Sequence, residues 1–329
     1  MSETGNLINT PQAVNLALHE AMASDPTVIV LGEEVADPQG GGVVGATKGL
    51  STKYPGRVRS TPISEQAIIG AAIGAALAGL RPVAEIMLMN FTTVAIDQIV
   101  NHAAKLRFMS GGQTHVPITI RTLTGVGIGV GAQHSDMLEA WFAHTAGIKV
   151  VAPSSPAEAK GLLLSCIFDD DPCLFIENTP TLGLTEAAPE PGVRIPLGKA
   201  NIIRAGKDVT VISYARQVRE SLAVAKKLHE EGVSVEVIDL RTISPWDAKT
   251  VLASVARTGR AVIVHEAVRN FGVGAEISAR INEELFGQLE APVQRLGSRN
   301  SPVPFSKPLE SAFVPNQGQI ESAIRAVLR

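Results

Sequence analysis

Thr61-Pro62-Ile63-Ser64-Glu65-Gln66 leads into Ala67-Ile68-Ile69-Gly70-Ala71-Ala72-Ile73-Gly74-Ala75-Ala76-Leu77-Ala78-Gly79-Leu80, and no charged residue separates Glu65 from Arg81. The pattern predicts a helix over 65–78 that is apolar on every side and dotted with glycine. Such a helix must be buried and closely approached by its neighbours. Glu65 stands in or just before its first turn, so a carboxyl group is carried inside with it. The plain alternative is a first-turn acid favoured only by the helix dipole.

On either side of this segment, short β-branched runs alternate with helical patterns. Strands are expected at 28–31, 83–87, 118–121, 149–152, 173–177, 209–213, 233–239, 261–265 and 293–296. Helices are expected at 11–23, 92–108, 135–143, 156–167, 218–231, 247–256, 274–286 and 319–328 as well as 65–78. Strands interleaved with helices imply an α/β protein with parallel sheets covered on both faces. The alternation breaks between Thr179 and Pro196, where Pro180, Pro189, Pro191 and Pro196 accompany Gly183 and Gly192. This gives an α/β domain over 1–185, a linker over 186–196 and a second α/β domain over 197–329.

Composition narrows the function. The chain has 329 residues, a net charge of −3 and 4% aromatic residues, with no long basic run. Nucleic acid is therefore not an expected partner. Cys166 and Cys173 lie in an apolar stretch and read as buried neutral thiols, not a disulfide frame. Met1-Ser2-Glu3-Thr4 is neither an apolar signal nor an arginine-rich transit peptide. The alanine-rich 66–80 run is too weak to span a bilayer, so no membrane role is expected and the cytoplasm is the default setting.

Several motifs carry chemistry. Gly125-Val126-Gly127-Ile128-Gly129-Val130-Gly131-Ala132 contains the G-x-G-x-x-A form of a dinucleotide fingerprint. However, the acid expected about 20 residues later at the end of a second strand is missing. A flexible loop that lets a substrate or partner chain approach the backbone suits the glycines better. His134 follows that loop at an expected helix start, where an imidazole can exchange a proton at neutral pH. The alternative is a histidine with no role beyond packing. Asp169-Asp170-Asp171-Pro172 closes an expected helix with acids that oppose its dipole. They suit either a proline turn or a cation held by carbonyl and carboxylate oxygens. No H-E-x-x-H, paired C-x-x-C, G-x-S-x-G or Walker loop is present.

A set of ordered strings then points to a family. They are Leu31-Gly32-Glu33-Glu34-Val35, Gly41-Gly42-Val43 with Thr47-Lys48-Gly49-Leu50, Arg57-Val58 with Thr61-Pro62-Ile63-Ser64-Glu65, and Ala95-Ile96-Asp97-Gln98-Ile99. Further on come Ala103-Ala104-Lys105 with Met109-Ser110-Gly111-Gly112, Gln133-His134-Ser135, Ala159-Lys160-Gly161-Leu162 and Phe271-Gly272-Val273-Gly274-Ala275-Glu276-Ile277. Nearly end to end, the chain resembles the beta subunit of the thiamine-diphosphate-dependent decarboxylase component of 2-oxo acid dehydrogenase complexes. That group includes the pyruvate, branched-chain and acetoin dehydrogenases. The resemblance implies a pyrimidine-binding thiamine-diphosphate fold followed by a transketolase C-terminal-like α/β domain.

The resemblance also implies roles. Glu65 would hydrogen-bond the aminopyrimidine ring of thiamine diphosphate, where an acid in an apolar pocket can keep a proton and share it with a ring nitrogen. Met87 and Phe91 match positions that pack against the pyrimidine; both also suit a plain core role. His134 matches a histidine beside the entry of the lipoyl arm, expected to donate a proton or position the acyl group. Ile118, Cys166, Ile167, Asp169 and Asp171 match a structural potassium site, although the last position is usually asparagine. The chain contains no Gly-Asp-Gly. The magnesium-diphosphate half of each site is therefore expected from an alpha subunit, in an assembly of two alpha and two beta chains serving a lipoyl-bearing acyltransferase and a small 2-oxo acid. Thr179-Pro180-Thr181-Leu182-Gly183-Leu184, Asp136 and Phe108 depart from the usual residues near the substrate or lipoyl side. Other readings stay open: transfer of the activated aldehyde to another carbonyl by a carboligase, a non-catalytic scaffold subunit, or dinucleotide binding.

Overall fold

A computed structural model describes residues 7–329. Met1-Ser2-Glu3-Thr4, read above for targeting signals, lie outside the described residues. The chain divides into two compact units. One takes the chain up to Thr124 together with Trp141–Leu197; the other takes Gly125–Ala140 together with Gly198–Arg329.

The first unit is built on parallel strands β2 (Val28–Gly32), β3 (Val58–Ser60), β4 (Arg81–Leu88), β5 (Thr119–Thr124), β6 (Lys149–Val151) and β7 (Cys173–Asn178). They run in the order β6-β7-β5-β4-β2-β3. The helices α1 (Thr10–Ser24), α2 (Leu50–Lys53), α3 (Glu65–Leu77), α4 (Leu106–Met109) and α6 (Pro156–Ile167) accompany them, and α5 (Glu139–Ala143) carries the chain back from the other unit. Helix α1 starts sharply because Asn9 and Gln12 form a reciprocal capping box. Its Ala13, Val14, Ala17, Leu18 and Ala21 are buried with Leu162, Leu163 and Cys166 of α6 in one core. A sheet buried on both faces suits the near-continuous apolar runs of β2 and β7.

The stretch after β7 is held against this unit. β8 (Thr185–Ala187) pairs antiparallel with β1 (Leu7–Asn9). Lys160 Nζ donates to the Glu190 carbonyl at 2.9 Å, and Ser165 Oγ to the Ile195 carbonyl at 2.6 Å. A Cβ on Gly161 would stand 2.7 Å from Ile195 Cγ1, which accounts for glycine inside α6. Those contacts replace the local periodicity whose absence marks the stretch in the sequence.

The second unit places β9 (Asn201–Arg204), β10 (Val209–Ser213), β11 (Val235–Asp239), β13 (Ala261–Val268) and β14 (Gln294–Ser298) in the order β14-β13-β10-β11-β9. All pairs are parallel except β9 with β11. The short β12 (Thr242–Ser244) stands outside this sheet. Helices α7 (Arg216–Glu230), α8 (Ala248–Thr258), α9 (Val273–Leu285), α10 (Lys307–Phe313) and α11 (Gln317–Val327) complete the unit. Val224, Ala225 and Leu228 of α7 and Ile320 and Ile324 of α11 join its core.

Two expected helices are broken. The 92–108 helix is instead a 3-10 turn at Met89–Thr93, a π-helix at Gln98–Ala103 and the short α4. Thr92 Oγ1 donates to the Met89 carbonyl and Thr93 Oγ1 to the Asn90 carbonyl, local bonds that compete with the helical ladder. The 135–143 helix is reduced to a 3-10 turn at Ala132–His134 and α5.

Candidate active site

Glu65 is the first residue of α3 and is 8% exposed. It opens the helix whose buried face is formed by Ile68, Ile69, Ala72, Ile73 and Ala76. Glu33, at the C-terminal end of β2, is buried too. Burial pushes the Glu33 carboxyl above its ordinary value, and the Glu65 and Glu34 carboxylates push it further. Two acids thus share one setting at the C-terminal edge of a parallel sheet, where open α/β sheets take their ligands. The sequence contains Glu33 in plain view after Gly32, but only the fold brings it to Glu65, 32 positions later.

Helix α3 is not buried all round. Ala67, Ala71, Gly74, Leu77 and Ala78 are exposed, so one side of the helix presents a stripe of small and apolar residues. The expected burial on every side is therefore met on one face only, that of Ile68, Ile69, Ala72, Ile73 and Ala76.

Met87 and Phe91 are both half-buried. Met87 falls where the register between β4 and β5 shifts, between Ile86 and Leu88. An irregularity of this kind re-aims a side chain at the end of a strand. Phe91 sits in the 3-10 turn that follows, and α3 packs on β4.

Ile118, Cys166, Ile167, Asp169 and Asp171 meet at the turn between α6 and β7. The Ile118 carbonyl accepts from Cys173 N–H at 2.9 Å, and the Cys166 carbonyl from Asp169 N–H at 3.2 Å. The Ile167 carbonyl accepts from Arg81 Nη1 at 3.4 Å. Asp169 is paired with Lys149 at 2.5 Å, and Asp171 with Arg107 at 2.5 Å. Among the described residues, no group of three or more His, Cys, Asp or Glu side chains is arranged to hold a metal ion. Oxygen donors for a hard monovalent cation are present, but both carboxylates already face protein cations. Cys166 and Cys173 are free and buried, and burial holds the Cys166 thiol well above its usual value, hence neutral.

His134 belongs to the second unit with the glycine loop. It is half-buried, ends the 3-10 turn, and its N–H donates to the Gly131 carbonyl at 3.3 Å. Val126 N–H donates to Glu266 Oε1 at 2.6 Å, and Gly127 and Gly129 N–H to Glu310 Oε1 at 3.1 and 3.0 Å. These donors are therefore committed to protein carboxylates, and only a three-residue 3-10 turn follows them. A pyrophosphate needs free loop N–H groups and a helix N-terminus, so the dinucleotide reading of this loop loses its basis.

Glu139, also in this segment, is fully buried and accepts from Tyr214 Oη at 2.5 Å. Burial raises its carboxyl to about 7, with a smaller push from Glu266. Burial likewise depresses the nearby His265 imidazole to about 4. Because the folded value of Glu139 lies above the unfolded one, the folded state binds the extra proton between roughly pH 4.5 and 7. Stability is expected to fall by roughly 3 kcal/mol as pH rises through that window, a slope that Glu139→Gln removes. Urea unfolding at pH 5 and pH 8 checks this; equal slopes in both proteins would sink it.

Comparison with known proteins places these features. The model of the transketolase pyrimidine-binding domain matches residues 6–183, and that of the transketolase C-terminal domain matches residues 198–320. The chain is 44% identical to the beta subunit of acetoin:2,6-dichlorophenolindophenol oxidoreductase from Cupriavidus necator, covering 96% of each chain. It is 47% identical to pyruvate dehydrogenase E1 component subunit beta-1, mitochondrial, from Arabidopsis thaliana, covering 96% of this chain and 87% of that one. A split-gene transketolase, solved as an inactive beta4 tetramer, shares the fold with a TM-score of 0.79, 21% identity and 98% coverage of both chains. With a matching pyrimidine-binding domain, a matching C-terminal domain and full-length relatives at this identity, the chain belongs to the family of beta subunits of the acetoin and pyruvate dehydrogenases.

Proposed function

We propose that this beta subunit completes the active site of a thiamine-diphosphate-dependent dehydrogenase acting on a 2-oxo acid or acetoin-like substrate, together with an alpha subunit in the cytoplasm. The observation that carries the reading is the buried Glu65 beside Glu33, whose carboxyl burial raises above its ordinary value. A carboxyl so placed fits an aminopyrimidine, which offers a ring nitrogen able to share a proton. When bound, thiamine diphosphate supplies a carbon that takes up the electron pair left by the cleaved carbon–carbon bond. Glu65 holds and moves the proton at its carboxyl oxygen. Burial and the neighbouring Glu65 and Glu34 raise the Glu33 carboxyl, so a second negative charge beside Glu65 is disfavoured. Met87 and Phe91 give the ring half-buried apolar walls.

The alpha subunit holds the diphosphate through magnesium, because this chain has no Gly-Asp-Gly of its own. The exposed small-residue side of α3 suits close packing with a neighbouring chain in an assembly of two alpha and two beta subunits. His134 acts in passing the acyl group to a lipoyl carrier on an acyltransferase component. A potassium ion at the α6–β7 turn would be held by the main-chain oxygens of Ile118, Cys166 and Ile167, whose second lone pairs could add to the hydrogen bonds they accept, with Asp169 and Asp171 already paired to Lys149 and Arg107.

Reconstitution of both subunits tests the reading. Cleavage of the donor's carbon–carbon bond, with carbon dioxide release from a 2-oxo acid, is expected only when both subunits are present. Acylation of an added lipoyl domain is expected to outpace acyloin formation. A preparation that forms acyloin and no acyl-lipoyl product would make the chain part of a carboligase. The dye 2,6-dichlorophenolindophenol, named for the Cupriavidus relative, serves as an acceptor that needs no carrier protein.

A further inference from the structure

The four glycines of Gly125–Gly131 account for the shape of this loop but not for what fixes it. Gly125, Gly127, Gly129 and Gly131 have φ of 124°, 133°, 73° and 74°, a region that L side chains rarely adopt. The loop belongs to no helix or strand. A segment so rich in glycine loses much conformational freedom when it is ordered, so other groups must hold it.

Two carboxylates do so from far along the chain. Glu266 Oε1 takes Val126 N–H, and Glu310 Oε1 takes both Gly127 and Gly129 N–H. Arg216 Nη1 grips the same loop from its other polarity, donating to the Val126 carbonyl at 3.0 Å. Glu266 and Glu310 are 3% and 2% exposed. A carboxylate buried that deeply requires donors, and successive backbone N–H groups form a concave nest for an anion. Here the protein supplies the anion itself. Val126 also seats in an apolar cluster with Val303, Phe313 and Val314, and the Phe305 ring stands where a side chain on Gly131 would go. Gly131 in turn takes the His134 N–H, so the held segment runs directly into the imidazole.

We infer that Glu266 and Glu310 clasp the glycine loop and are positioning residues for His134. This rests on the acyl-transfer role of His134 proposed above. In the complex with the alpha subunit, Glu310→Ala is expected to speed amide hydrogen exchange at 126–131. It is also expected to lower kcat/KM for lipoyl-domain acylation by about tenfold or more. Glu310→Gln keeps an oxygen acceptor for Gly127 and Gly129 and should recover most of that loss. A double-mutant cycle decides the route: if Glu310 acts through His134, H134A/E310A is no slower than H134A alone. Multiplied losses, or E310A as fast as wild type beside a slow H134A, overturn the clasp as a positioning device while leaving the role of His134 standing. H134A at wild-type speed instead defeats the acyl-transfer reading and the clasp with it. Should E310A fail to assemble, Glu310→Asp, whose shorter side chain draws the carboxylate back from Gly127 and Gly129, runs the same cycle with the same criteria.

Discussion

Glu65→Gln is expected to leave assembly with the alpha subunit intact and to lower turnover by about a thousandfold, equivalent to roughly 4 kcal/mol of barrier. The substitution keeps the side chain's size and its place at the start of α3. It also keeps one hydrogen-bond acceptor and adds donors, so packing against Ile68 and Ile69 is preserved. What it removes is a group that exchanges a proton. In an open, wet site water would replace that function in part, but Glu65 is buried, so no such substitute is at hand. The variant has a second signature. Burial raises the Glu33 carboxyl, and the charge of Glu65 adds to the effect. Neutralising Glu65 takes away that repulsion, so the Glu33 carboxyl is expected to move back toward its ordinary value. Steady-state rates of the reconstituted enzyme, with size-exclusion chromatography as the control for assembly, read the main effect. Turnover within tenfold of wild type in an assembled complex would show that the subunit is a scaffold and that the buried acid serves packing alone.

The contrast between what the sequence carries and what only the fold supplies is visible around this residue. α6 and β10 are read from periodicity to the residue, because each has a clear apolar rhythm with a proline, serine or aspartate at its edge. α3 is equally clear, yet its uniform hydrophobicity hides which side the chain itself covers. The three-residue strands β1, β3 and β8 are too short for any alternation to register. The 92–108 segment has helical spacing, but Thr92 and Thr93 spend their hydroxyls on nearby carbonyls and the ladder breaks. Neither Glu266 nor Glu310 carries a mark of its purpose. Their partners lie 140 and 183 positions away, and an acid in a strand or short helix looks the same whether it faces water or a backbone nest. Glu65 and His134 are candidates because the strings that hold them resemble those of the family, and Met87 and Phe91 because they match family positions outside those strings. The physical reason for each comes from burial, a strand irregularity or a loop anchor.

The largest stability effect is expected at Arg121, which lies in β5 with 1% exposure between two buried acids. Its Nη1 meets Glu85 of β4 at 2.7 Å and its Nη2 meets Glu177 of β7 at 2.6 Å. Because β4 and β7 flank β5 in the sheet, one guanidinium ties three adjacent strands through their side chains as well as their ladders. Burial works against the charge on Arg121, but Glu177 and Glu85 outweigh it and hold the guanidinium firmly protonated. Burial conversely raises the Glu177 carboxyl, a shift that Arg121 opposes. Arg121→Met preserves most of the volume and strands both acids without a counter-charge, so a loss of about 3–5 kcal/mol is expected. The loss should grow with pH. Without Arg121 the Glu177 carboxyl, which burial raises, holds its proton to higher pH in the folded state than in the unfolded one, so the variant weakens as pH rises above the ordinary carboxylate range. Replacing all three residues together by apolar ones of similar size should be far milder than the single change, because no buried charge is then left unpaired. Denaturant titrations at pH 5 and pH 8 separate the outcomes. A single variant within about 1 kcal/mol of wild type at both pH values would mean that water reaches the cluster and that the strands do not depend on it. Gly42 adds a functional consequence: a Cβ there would stand 2.8 Å from Glu85 Oε1, so the loop after Glu33 rests on this same carboxylate. Destabilising the triad is therefore expected to loosen the edge that carries Glu33, and turnover of the Arg121→Met complex should fall even under conditions where it remains folded.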